Sequence, residues 1–298
     1  MRKRGENIGN TKTAEINSRG IQLRKLKILE NEVTPEVATE KREQMERDGF
    51  CVIDDILTEE FLQELRDESD RLIESHVQAP DLKYQGQHVT TRGADNAIIQ
   101  KLLSWPSSRQ ALEQMGYGDF VNSGGIIILT KDPGEPALYW HQDWGRWNDP
   151  MSCSPWPQQI FLNYYLTDTT VDNGCLKVIP GTHLKRLPLH DQLVPAHEQG
   201  ARFIEEDHPV MFCDHPNQVD VCVKAGSLVL GDARVLHAAH RNQTDQARNM
   251  ILAWHHRPAT VPDYWDRKIP DVIANRDPDG DYPDSRIPCD YLILNEVE

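Results

Sequence analysis

The hydrophobic pattern divides the chain into a helical front and a strand-rich remainder. Residues 58–76, TEEFLQELRDESDRLIESH, place Phe61, Leu62, Leu65, Leu72 and Ile73 on one face at helical spacing. Thr58 stands where an N-cap is wanted, and Glu59 and Glu60 put negative charge at the positive end of the helix dipole. The run 34–50 predicts another helix, opened by Thr34 and Pro35 and stopped at Gly49. Between the two, FCVIDDIL reads as a short buried strand. After about residue 120 the period changes. GGIIILT, QQIFLNYYL, GCLKVIP, SLVLGDARVLHAA and MILAWHH are short runs rich in Ile, Val, Leu and Tyr, separated by Gly, Pro, Asn and Asp, and each predicts a strand.

Helices first and many short strands afterwards predict a fold that is mainly β with flanking α-helices, a sandwich or jelly roll. The expected organisation is a flexible tail over 1–25 and a single domain over 26–298. Within that domain the helical front spans 34–118 and the β core 120–258. The stretch 184–218 is long, polar and proline-punctuated, which predicts a lid-like insertion between strands, and 259–298 is a C-terminal extension of similar character.

Charge narrows the partners. The 298 residues carry a formal net charge of −15, a field that repels nucleic-acid phosphates and anionic lipid, so neither is expected as a partner. No apolar run approaches the roughly 18 residues of a membrane span. The basic opening MRKRG is not followed by the apolar stretch of a secretory signal. Six cysteines are scattered with no C-x-x-C, which speaks against a structural zinc knot or a dense disulfide framework. Reduced thiols and a cytoplasmic location are the expectation.

The candidate chemistry begins at WHQDW. On a strand, alternate side chains share a face, so His141 and Asp143 would project together with Gln142 turned away. An imidazole and a carboxylate joined by a second histidine form the 2-His-1-carboxylate arrangement that suits non-haem Fe(II). The pair alone is weak, because an H-x-D also arises by chance on a surface strand. The stretch 226–250 offers His237 and His240 as partners, and Arg248 on the strand that follows. A guanidinium grips a carboxylate through two parallel hydrogen bonds, so Arg248 could hold a dicarboxylate whose other end meets the metal.

Four pieces in order resemble the phytanoyl-CoA dioxygenase-like branch of the Fe(II)/2-oxoglutarate-dependent oxygenases, over roughly residues 40 to 258. They are His141-x-Asp143, the segment LTDTTVDNGCLKVIPGTH at 166–183, GSLVL, and His237 followed by Asn242, Thr244 and Arg248. The resemblance implies a double-stranded β-helix core of cupin type, with Fe(II), 2-oxoglutarate and O2 as cofactor and cosubstrates. It implies His141, Asp143 and His237 as metal ligands and catalytic centre, and Arg248 on the distal carboxylate of 2-oxoglutarate. Asn163 matches a position lining the cosubstrate site, and Arg92, in TTRGAD, a basic residue before the core. His240 is left to the pocket or its surroundings, and Trp144 and Trp147 are candidates to line a substrate site. Trp140 is expected in the core, His183 in a structural turn, Asn173-Gly174 in a tight turn, and at most one of Tyr164 and Tyr165 inside.

The activity implied is oxidation of an unactivated C–H bond of a small molecule, with release of succinate and CO2. A carboxylate at position 143 favours hydroxylation, desaturation or ring formation over halogenation. A non-catalytic cupin-like binding protein and a zinc-dependent hydrolase are the competing readings. A CoA thioester would want a basic mouth, and the chain has no basic cluster beyond its first 27 residues and the LKR at 184, so a smaller or neutral substrate is expected.

Overall fold

The computed structural model describes residues 33–77, 86–194 and 208–288. The tail expected over 1–25 lies outside them, as do residues 195–207 of the expected insertion. Helices α1 (Pro35–Asp48) and α2 (Glu59–Glu74) form where the spacing predicts them, because Thr34 and Thr58 each cap an N-terminus by accepting from a backbone N–H of the first turn. Gly49 ends α1 in the left-handed conformation, at φ 81°. Helices α3 (Ala97–Leu103) and α4 (Pro106–Gln114) complete the helical front.

The strands are β1 (Phe50–Ile53), β2 (Gln87–Arg92), β3 (Val121–Asn122), β4 (Gly125–Lys131), β5 (Leu138–His141), β6 (Gln159–Tyr165), β7 (Leu176–Val178), β8 (Val219–Val221), β9 (Leu228–Asp232), β10 (His237–Ala239) and β11 (Arg248–His256). They build two antiparallel sheets. The major sheet runs β1-β9-β6-β11-β4-β2, with β3 also on β11, and the minor sheet runs β5-β10-β7-β8. This is the jelly-roll architecture that the order of helices and strands predicts.

Alternation explains how one sheet serves two layers. Ile160, Leu162 and Tyr164 of β6 pack with the helices, among Phe61, Leu65 and Leu112. Phe161 and Tyr165 of the same strand face the minor sheet, with Leu176, Val178 and Val221. One tyrosine therefore faces inward and its neighbour faces the helices, as alternation requires. A strand buried on both faces is mostly apolar, and in QIFLNYY only Gln159 and Asn163 interrupt the apolar and aromatic run.

Three predicted strands differ from the structure. The strand expected over FCVIDDIL stops at Ile53, because Asp55 takes φ 52° and turns the chain. The strand expected through SLVLGDARVLHAA breaks into β9 and β10, which belong to different sheets. At the break Arg234 folds back onto Asp232, its Nε 2.9 Å from Oδ1. Lastly, β5 ends at His141, so Asp143 lies beyond the strand. Gly231 lies under the aromatic floor, where a Cβ would come 1.9 Å from the Phe161 ring. Asn173-Gly174 makes the expected turn before β7, with Gly174 at φ 91°. Among the described residues no helix is long and apolar enough to cross a membrane.

Candidate metal centre and adjoining cavity

The antiparallel ladder of β5 and β10 puts His237 directly across from His141, with ring centroids 4.2 Å apart. Each ring is anchored on its own strand. His141 Nδ1 lies 2.9 Å from the Tyr139 carbonyl, and His237 Nδ1 lies 3.1 Å from the Val235 carbonyl. A carbonyl only accepts, so each Nδ1 carries the proton and each Nε2 presents its lone pair.

Both Nε2 atoms face Asp143, but not through the strand alternation the sequence predicts. The backbone N–H groups of Asp143 and Trp144 both donate to the Ala233 carbonyl at 2.9 Å, which pins the chain just past β5. The carboxylate then reaches His237 Nε2 at 3.2 Å and His141 Nε2 at 3.7 Å. Two imidazole lone pairs and a carboxylate do not attract one another until a proton or a metal cation stands between them. Burial by itself would lower the His237 pKa, yet the charge and hydrogen bond of Asp143 outweigh it and hold the group above its ordinary value. Among the described residues, the three ligand atoms lie within 4.8 Å of one another, and all three side chains are buried. Phe161 sits beneath His237, and Tyr139 meets His141 edge-on.

A cavity of about 460 Å³ opens beside this cluster over the inner face of the major sheet. Its floor is a lattice set by register. Arg248 pairs with Lys131, and Met250 lies between Leu129 and Tyr165. In the same way Leu252 lies between Ile127 and Asn163, and β2 adds His88 and Thr90 at the edge.

The guanidinium of Arg248 is buried, and its Nε and Nη1 have no hydrogen-bond partner among the described residues. Burial lowers its pKa. Asn163 Oδ1, on β6 opposite Leu252 and so four residues along the ladder from Arg248, is likewise buried without a partner among the described residues. Lys131 donates from Nζ to the carbonyls of Pro136 and His240, at 2.7 and 2.9 Å. A buried cation with unmet donors costs several kcal/mol unless an anion joins it, so this end of the cavity is built for a carboxylate.

The other predicted residues fall in different places. Arg92 is exposed at the far end of β2, opposite Gly125, and does not line the cavity. His240 also lies outside it. His237 and Ala239 point inward, so His240 points to the outer face of the minor sheet, where its Nε2 is 2.8 Å from Asp220 Oδ1. Trp147 is fully buried with Trp144 and Ala233, so it packs rather than receives a substrate. Trp144 donates to Ser152 Oγ at 3.0 Å and walls a separate polar cavity of about 420 Å³ on the other side of Asp143. Trp140 is buried, and His183 is buried against the Glu46 carbonyl, as expected.

Two contributors were missed. Lys131 stands just past the predicted strand GGIIILT, and only the register brings this cation opposite Arg248. Arg286, from the C-terminal extension, donates from Nη1 to the Asp143 carbonyl at 2.8 Å. No local pattern links positions so far apart.

The chain is similar to several known proteins. The ectoine dioxygenase of Nocardia farcinica is 26% identical over 75% of this chain and 79% of that protein. Dioxygenase andF of Emericella variicolor is 28% identical over 51% of this chain and 59% of that protein. Among solved structures, the non-heme alpha ketoglutarate dependent epimerase SnoN from nogalamycin biosynthesis superposes with a TM-score of 0.56 at 19% identity, covering 76% of this chain and 86% of that one. EctD from S. alaskensis with bound Fe gives 0.53 at 18% identity, covering 75% and 78%. These structures share the fold. Residues 45–250 match the Phytanoyl-CoA dioxygenase (PhyH) family, and the chain belongs to that family of Fe(II)/2-oxoglutarate-dependent oxygenases.

Proposed function

We propose that His141, Asp143 and His237 hold one Fe(II) ion and that Arg248, with Lys131 beside it, receives the distal carboxylate of 2-oxoglutarate, while Asn163 lines the same cavity. The observation that carries this reading is the Arg248 guanidinium, buried with unmet Nε and Nη1 donors in the same cavity as the three ligands. The donor set of two imidazole nitrogens and one carboxylate oxygen fits Fe(II) and leaves coordination positions for a chelating cosubstrate. When bound, Fe(II) and 2-oxoglutarate supply activation of O2 coupled to decarboxylation to succinate and CO2 and to oxidation of a substrate C–H bond.

The protein's own part is orientation and dryness. The carbonyls of Tyr139 and Val235 fix both imidazoles with Nε2 toward the ion. The Ala233 carbonyl fixes the backbone that delivers Asp143. Phe161, Leu252 and Trp254 keep the floor apolar, which strengthens each charge interaction above it. Beyond the Arg248 row the walls are Leu129, Leu138, Met250, Leu252 and Trp254, with His88 and Thr90 as polar groups. That lining suits a small, mainly apolar metabolite carrying one or two hydrogen-bonding groups better than an acyl-CoA. Hydroxylation is the proposed outcome.

The test is an anaerobic visible spectrum of the protein titrated with Fe(II) and then 2-oxoglutarate. A charge-transfer band that needs both, is lost in His141→Ala and is weakened in Arg248→Ala is the expected result. Full metal loading with no band would overturn chelation by 2-oxoglutarate and favour a zinc-type hydrolase or a binding protein, neither of which has use for Arg248.

A further inference from the structure

Two of the six cysteines, far apart in sequence, come together in space. Strand β7 lies between β10 and β8, with Leu176 opposite Ala239 on one side and Val221 on the other. One residue earlier, Cys175 accepts at its carbonyl from the His240 N–H at 3.0 Å. On its other side the register that pairs Leu176 with Val221 sets Cys222 next to Cys175. Leu176 and Ala239 line the inner cavity, so Cys175 and His240 belong to the opposite face of the sheet. Asp220 shares that face, two residues before Cys222.

We propose that Cys175, Asp220 and His240, with Cys222 beside them, form a second metal site for a thiophilic divalent cation of the zinc type. One ligand atom from each of Cys175, Asp220 and His240 lies within 4.8 Å of the others. Sulfur, imidazole nitrogen and carboxylate oxygen are the donors zinc takes, usually four at once, and the second thiol, which lies outside the group of three, would swing in as the fourth on loading. An ordinary Asp220–His240 ion pair would explain their 2.8 Å contact. It would not explain two thiols brought together on the adjoining strands. Cys175 is buried while Asp220 and Cys222 are exposed, so the site is rooted in the sheet and open to solvent on one side.

Binding would replace the two thiol protons, released to solvent, with metal–sulfur bonds. The ion would staple three strands. One is β10, which carries His237; another is β8, which follows the long excursion after β7. The two centres differ in kind, because only this one has sulfur.

Cobalt(II) distinguishes them. Full-length protein, reduced and kept anaerobic, is titrated with Co(II) while metal content is measured by mass spectrometry. The expected result is a near-ultraviolet thiolate-to-cobalt band that survives in His141→Ala and is lost in His240→Ala and in Cys175→Ser, with Cys222→Ser weakening it. Metal content should fall from about two equivalents to about one in His141→Ala and in His240→Ala alike. No thiolate band in the wild type, or a band unchanged in His240→Ala, overturns the site. So does a Cys175–Cys222 disulfide in protein isolated without reductant if no band appears after reduction, since the pair would then be a redox element. Survival of the band in His141→Ala separates this result from any failure of the Fe(II) reading.

Discussion

Arg248 lies directly opposite Lys131 in the β11–β4 ladder, and both line the cavity that holds His141, Asp143 and His237. Two cations side by side in a buried site repel each other and lose hydration, so the metal-free, ligand-free protein carries this pair at a cost. Replacing Arg248 with Met should therefore raise the melting temperature of the ligand-free protein while weakening 2-oxoglutarate by about 30-fold or more, the 2–5 kcal/mol typical of losing one partner of a buried charged pair. Arg248→Lys should not restore affinity, because an ammonium lacks the planar fork. Thermal melts with and without 2-oxoglutarate check both signs. A melting temperature that falls in the ligand-free Met variant would mean Arg248 already has an anionic partner.

Metal affinity should depend on pH through His237. Asp143 holds its pKa above the ordinary value, so the metal-free fold binds a proton there more tightly than the unfolded chain does. That stabilisation is fully present below the unfolded value of about 6.5 and is lost as pH rises through the higher folded value. A metal ion competes for the same Nε2. Mn(II) affinity, followed by electron paramagnetic resonance, should climb as pH rises through that interval, while Asp143→Asn should bind weakly at every pH. A flat profile in the wild type would mean that His237 is not protonated in the metal-free protein.

Much of this was legible because the informative residues announce themselves locally. Thr34, Thr58 and Gly49 mark helix ends by chemistry that does not depend on the rest of the fold, and the middles of β6 and β11 are rich in apolar and aromatic residues. The ligands His141, Asp143 and His237 were legible as a spaced motif, yet the geometric reason expected for Asp143 was wrong, since β5 ends before it. What failed was whatever depends on which sheet a residue joins. SLVLGDARVLHAA alternates smoothly through a break made by a tertiary contact between Arg234 and Asp232. His237 and His240 differ only in the face they present. The grouping of Cys175 with Cys222 and His240 exists only once β8 has returned from its long excursion to lie beside β7.

Acid should destabilise the fold well before its carboxylates titrate. Burial lowers the pKa values of His183, His190 and His255 to about 4 each. Between that value and the unfolded value of about 6.5 the unfolded chain binds protons that the native state refuses, so stability falls as pH falls through this window. Each histidine contributes on the order of 3 kcal/mol to the loss. Urea unfolding at several pH values from neutral down should show the decline, and His183→Gln should flatten it by about a third if the three contribute equally. A midpoint that stays level down to pH 5 would mean these rings accept protons in the folded state.

The sharpest test of how the scaffold delivers the metal ligands is Arg234. It is fully buried, paired with Asp232 at 2.9 and 2.5 Å, and it donates to the carbonyls of Ser152 and Ser154 at 2.8 Å and of Trp156 at 3.2 Å. It thus ties the loop beneath Trp144 to the turn that separates β9 from β10. That same turn supplies the Ala233 carbonyl holding Asp143 and the Val235 carbonyl holding His237. Arg234→Met should cost about 3–5 kcal/mol, because Asp232 is left as an uncompensated buried charge. Adding Asp232→Asn should recover part of that, giving a coupling energy of about 1–3 kcal/mol in a double-mutant cycle by urea unfolding. The two outcomes separate stability from positioning. If the double variant regains stability but still binds Mn(II) poorly, Arg234 sets the geometry of the turn; if binding returns with stability, its role is charge neutralisation alone.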